Sequence, residues 1–71
     1  MNLDLLKQLL FEKNIKVKEL AQKMDWSYSL TKSKLDGTIE FFSKEIMKIT
    51  QILRLTSKER DLIFFNDDVE K

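Results

Sequence analysis

Apolar side chains recur along this chain three and four positions apart, and the recurrence breaks and restarts often enough to mark five short segments. Leu3, Leu6, Leu9, Leu10 and Ile15 keep that spacing behind Asn2, whose side chain suits the cap of a helix over about 3–13. Asn14 tolerates the left-handed conformation and supplies a stop. Val17, Leu20, Ala21 and Met24 repeat the i, i+3, i+4, i+7 pattern and predict a second helix over about 17–24. Asp25, Trp26 and Ser27 form the joint to a third helix over about 28–35, capped by Ser27 and ended by Asp36 and Gly37. Ile46, Ile49 and Leu53, with Ile52 adjoining, predict a fourth helix over about 44–54. Ser43 is its expected cap, and Glu45 places a carboxylate in its first turn, where the helix dipole favours one. Thr56, Ser57, Lys58 and Glu59 have the form of a capping box for a fifth helix over about 57–65, closing on Leu62, Ile63, Phe64 and Phe65.

With one Gly and no Pro, the chain has neither a linker nor the turn-rich pattern of a β protein. The expected fold is all-α: a compact five-helix domain over 1–66 with Leu6, Leu20, Ala21, Trp26, Leu35, Ile46, Ile49 and Leu53 in one core, followed by a short acidic tail over 67–71. At 71 residues there is room for a single domain.

The third helix breaks the pattern. It carries Leu30, Thr31, Lys34 and Leu35, but its apolar face is thin and it is studded with hydroxyls and lysines. A two-helix unit with a turn of three or four residues, whose second helix shows little apolar surface, fits a helix-turn-helix over about 17–35. The first helix anchors in the core, and the second offers polar side chains to the DNA major groove. Tyr28 and Ser29 then lie nearest base edges, with Lys32 and Ser33 one turn further along the exposed side.

Composition narrows the chemistry. There is no Cys and no His, which excludes disulfide frameworks, thiolate or imidazole metal sites and every nucleophile system built on those residues. No Gly-rich phosphate loop organises the scattered carboxylates, so no enzyme, metal or cofactor is expected. No apolar run approaches the length of a membrane span, and no export signal is present, giving the expectation of a cytoplasmic protein. A net charge of +1 is weak as a global signature for binding a polyanion, so any nucleic-acid face must come from uneven distribution. From Ser27 to Lys34 the only charges are Lys32 and Lys34, while the tail is acidic. Those two lysines read equally as a solvated face or as phosphate contacts.

The segment "ELAQKM" followed by "SYSLTKSKLDG" resembles the helix-turn-helix of the phage Cro and lambda-repressor group. The stretch "KLDGTIEFFSKEIMKITQILRLTSKERDLIFF" resembles a set of small phage-related regulators with a Lys-Leu-Asn-Gly segment, an aromatic, a Glu-Ile-x-Lys-Ile helix and a terminal Phe-Phe. The resemblance covers Leu3 to Phe65. It implies a lambda-repressor-like fold and a dimeric, operator-binding regulator in a bacterial host cell. Three positions depart from it. Val17 replaces a Gln that bonds a DNA phosphate, Asp25 replaces the turn Gly, and Asp36 replaces an Asn that also contacts phosphate. Thr31, where the family prefers an apolar residue, implies a third helix packed less firmly on its neighbour.

Two functions follow. One is a Cro-like regulator reading duplex DNA through Tyr28, Ser29, Lys32, Ser33 and Lys34, with Ser27, Asp25 and Asp36 at the ends of the reading helix. The other is an antirepressor that keeps the fold and covers the DNA-binding face of a phage repressor, its Asp25 and Asp36 pairing with the repressor's cations. Asp36 has a third reading, as a turn cap before Gly37. Trp26 is either a base-stacking platform or a core anchor. Among Phe41, Phe42, Phe64 and Phe65, most are expected in the core, with one or two left for an association surface.

Overall fold

A computed structural model describes residues 1–65 as five α-helices, with no strand among them. They are α1 (Leu3–Glu12), α2 (Val17–Met24), α3 (Tyr28–Asp36), α4 (Ser43–Leu53) and α5 (Ser57–Phe64). The acidic tail expected over 67–71 lies outside the described residues. Among those described, no helix is long and apolar enough to cross a membrane.

Local chemistry sets the helix ends. The Leu5 amide donates to Asn2 Oδ1 at 3.1 Å, and the Leu30 amide to Ser27 Oγ at 3.0 Å. At α5 the capping box is complete: Glu59 N donates to Thr56 Oγ1 (3.0 Å), and Thr56 N donates to Glu59 Oε1 (2.9 Å). The first four helices all stop in the same way, with one left-handed residue: Asn14 (φ 60°), Asp25 (φ 62°), Gly37 (φ 86°) and Arg54 (φ 55°). In each case the left-handed residue and its successor return their amides to the last turn, as Asp25 N does to the Gln22 carbonyl and Trp26 N to that of Ala21. These pairs satisfy carbonyls that a helix end leaves open. Only one of the four positions carries the Gly that suits it best.

The start of α4 differs from expectation. Phe42, not Ser43, occupies the extended cap position, and Ser43 is the first helical residue. Phe42 has no side-chain acceptor to offer, so the reciprocal half of the motif carries the cap: Glu45 Oε1 accepts from the Phe42 amide at 2.9 Å.

Helix α3 packs on α2 and α1, α4 packs on α2, and α5 returns to α1. The Asn2 amide donates to the Ile63 carbonyl at 2.6 Å, holding the start of the chain against α5. Leu6, Leu20, Ile49 and Ile63 are fully buried at the centre, and Ala21, Leu35, Ile46 and Leu53 join them as expected. Each large apolar side chain so buried contributes about 1.5–3 kcal/mol. Trp26 corrects the expected core, since it is only half-buried and lies against the core's edge. Phe41 takes the inner position instead, 6.1 Å from the Trp26 ring and 5.2 Å edge-on from that of Phe64. Phe41 and Phe64 are core, whereas Phe42 and Phe65 are exposed. Thr31 is completely buried, and its Oγ1 donates to the Ser27 carbonyl at 2.8 Å. Its hydroxyl is therefore satisfied within the helix, and the looser packing expected of it is absent.

Candidate functional site

Helix α3 presents two unlike faces. Tyr28, Ser29, Lys32 and Asp36 are exposed, Leu30 and Ser33 are half-buried, and Thr31, Lys34 and Leu35 are buried. Tyr28, Lys32 and Asp36 lie four residues apart, which aligns them in one outward stripe with Ser29 beside it. Among the described residues, the side chains of Tyr28, Ser29, Lys32 and Ser33 make no hydrogen bond or ion pair with the rest of the fold. Of these, Tyr28, Ser29 and Lys32 are exposed to solvent.

Lys34 corrects the expected site. It is 2% exposed, and its Nζ donates to Glu45 Oε1 at 2.6 Å and to the Glu40 carbonyl at 2.7 Å. The Phe42 ring centroid lies 4.5 Å from the same nitrogen, with Trp26 at 5.4 Å and Phe41 at 5.8 Å. A buried ammonium needs an anion and donor partners to offset its desolvation, and here it has a carboxylate, a carbonyl and three ring faces. No nitrogen of Lys34 is left for a phosphate. Its effect is mechanical: it ties α3 to the 37–42 connection and, through Glu45, to the start of α4.

Ser27 is exposed, but its hydroxyl is committed to the α3 cap. Asp25, in the left-handed turn, and Asp36, at the last position of α3, are exposed at opposite ends of the helix, and neither forms an ion pair among the described residues. Lys48 Nζ donates to the Met24 carbonyl at 3.4 Å, placing a cation at the C-terminal end of α2, where the helix dipole favours it.

The fold also gathers cations that nothing in the linear order brings together. Lys7 from α1, Lys16 from the connection before α2, and Lys32 from α3 border one groove of about 410 Å³, with Asp36 on its edge. Lys32 therefore has cationic neighbours even though Lys34 has been withdrawn from the surface. No group of three or more His, Cys, Asp or Glu side chains able to hold a metal ion occurs among the described residues.

No family model, curated protein or solved structure matches the chain.

Proposed function

We propose that the chain is a DNA-binding transcriptional regulator, a non-enzymatic helix-turn-helix module of the Cro and lambda-repressor kind acting in the cytoplasm of a bacterial host. The observation that carries this reading is the outward face of α3. Tyr28, Ser29 and Lys32 stand on it with no partner within the described fold, on a helix whose other face is clamped by Lys34 and Leu35. A rigid helix with free polar groups on one side is what insertion into the major groove requires. Tyr28 and Ser29, at its N-terminal end, reach base edges, while Lys32 contacts phosphate, with Lys16 and Lys7 extending the cationic border. One such helix covers only a few base pairs, so operator affinity comes from a homodimer on two half-sites about one helical turn apart. No cofactor takes part.

A second reading has its own support. Asp25 and Asp36 bracket α3 with carboxylates unpaired among the described residues, and the burial of Lys34 leaves Lys32 as the one exposed cation along that helix. Such a surface would suit the basic DNA-binding face of a repressor, making the chain an antirepressor.

Duplex and repressor-domain affinities, measured side by side for the wild type and Asp36→Asn, separate the two. On the DNA reading, the wild type binds duplex with a negative dependence of log affinity on log salt, and Asp36→Asn tightens binding because an anion leaves the phosphate backbone. Repressor binding that weakens on substitution, with no duplex binding by either form, would overturn the DNA reading in favour of the antirepressor.

A further inference from the structure

The groove bordered by Lys7, Lys16 and Lys32 has walls that a DNA backbone cannot use. Leu10, Ile15, Val17 and Leu35 line it, and Phe11 stands beside them 84% exposed, the most exposed large apolar side chain among the described residues. Phe11 has no place in the core, so its ring adds almost nothing to folding. Phosphates gain from lysines but not from an apolar lining, whereas a peptide bearing both apolar and acidic side chains gains from each. Three cations face one anion around the rim.

We propose that this groove docks an acidic amphipathic helix of a partner protein. Apolar side chains of the partner seat on the half-buried Ile15 and Val17 against the Phe11 ring, above a floor of buried Leu10 and Leu35, and carboxylates flanking them pair with Lys7, Lys16 and Lys32. The groove shares Lys32 and Asp36 with the outward face of α3, so an occupant and DNA compete for the same residues. Only that competition rests on the proposed DNA-binding function; the docking itself does not.

The test uses the full chain and a short fluorescein-labelled helical peptide whose leucine stripe is flanked by glutamates, read by anisotropy, with a control in which lysines replace the glutamates. The wild type should bind the acidic peptide and not the basic one. Phe11→Ala should weaken binding about tenfold, the effect of losing one buried aromatic contact. Its unfolding midpoint should stay unchanged, since the ring is already in water. Lys16→Glu should weaken the acidic peptide further and admit the basic one. Unlabelled acidic peptide should displace a bound duplex.

Equal binding of both peptides, or acidic-peptide binding insensitive to Phe11→Ala, would overturn the proposal. So would sedimentation showing a dimer that Phe11→Ala dissociates while neither peptide binds, because a second copy would then fill the groove. Loss of duplex affinity in Phe11→Ala without peptide binding would assign the groove to DNA and overturn it too. Peptide binding with the stated variant pattern, but no duplex binding by the wild type, would support the docking site while removing the DNA reading.

Discussion

Lys32 and Lys34 are the same residue type, two positions apart on one helix, yet the first stands in water and the second is enclosed by Glu45, the Glu40 carbonyl and three aromatic rings. Two residues of an α-helix are separated by about 200° around its axis, which puts them on opposite sides. The two faces of α3 thus differ: one holds the helix in place and the other stands in water. Position on the helix, not charge, decides which lysine does which.

The contrast is sharpest in stability. Lys34→Ala removes one member of an ion pair whose carboxylate is itself four-fifths buried, leaving Glu45 without its cation. The expected loss is about 3 kcal/mol, the low end for breaking such a pair because Glu45 keeps some access to water. In a domain of this size each kcal/mol lowers the melting temperature by roughly 4–8 °C. If Lys34→Ala melts with the wild type, the inward face is not clamped as described. Replacing both partners, Lys34→Met with Glu45→Leu, should recover most of that loss, because a matched apolar pair leaves no stranded charge. The double variant should fall about 1 kcal/mol below wild type, reflecting the Phe42 amide that loses its acceptor. Losses that simply add would show that the two side chains are not coupled.

The same contrast marks how far the fold was legible in the sequence. Helix ends that depend on a residue three positions away, at Asn2, Ser27 and Thr56, are local statements, and each is found as read. The α4 cap shifted by one residue because Glu45 reaches back to Phe42 and outweighs a serine hydroxyl. Lys34 departs from expectation for a different reason. Thr31, Lys34 and Leu35 already follow the i, i+3, i+4 spacing of a buried stripe, but a lysine in that stripe is readable as core only if its carboxylate is known. Glu45 lies eleven residues away on another helix. Trp26 stops at the core's edge while Phe41 turns inward, and both sit in connections, where no periodicity reports which ring is buried. Lys7 and Lys16 carry no such signal in the sequence, because only folding brings them beside Lys32.

A smaller effect tests where the boundary between the two faces falls at the start of α3. Ser27 belongs to the candidate surface by position and to the scaffold by its hydrogen bond. Ser27→Ala should cost about 1 kcal/mol in urea unfolding, the usual loss of an N-cap. If Ser27 also reads bases, sequence preference on a panel of duplexes would change as well. The cap assignment predicts that preference is kept and only overall affinity falls, as the end carrying Tyr28 and Ser29 frays.

Lys32→Ala should have the smallest effect on the fold and, on the proposed function, a distinct one on binding. The side chain is exposed and has no partner among the described residues, and Ala is at least as good a helix former as Lys, so stability should stay within about 0.5 kcal/mol of wild type. If Lys32 contacts a phosphate, its removal releases roughly one fewer counterion, and the slope of log affinity against log salt should flatten by about one unit on every duplex. Lys34→Met, compared in the Glu45→Leu background where the fold is retained, should leave that slope unchanged, since its nitrogen never reached the solvent. Equal slopes for Lys32→Ala and wild type would take the outward face of α3 out of the phosphate interface. A flattened slope for the Lys34 variant would mean that the buried pair opens when DNA binds, and the division between the two faces would fail at the residue that defines it.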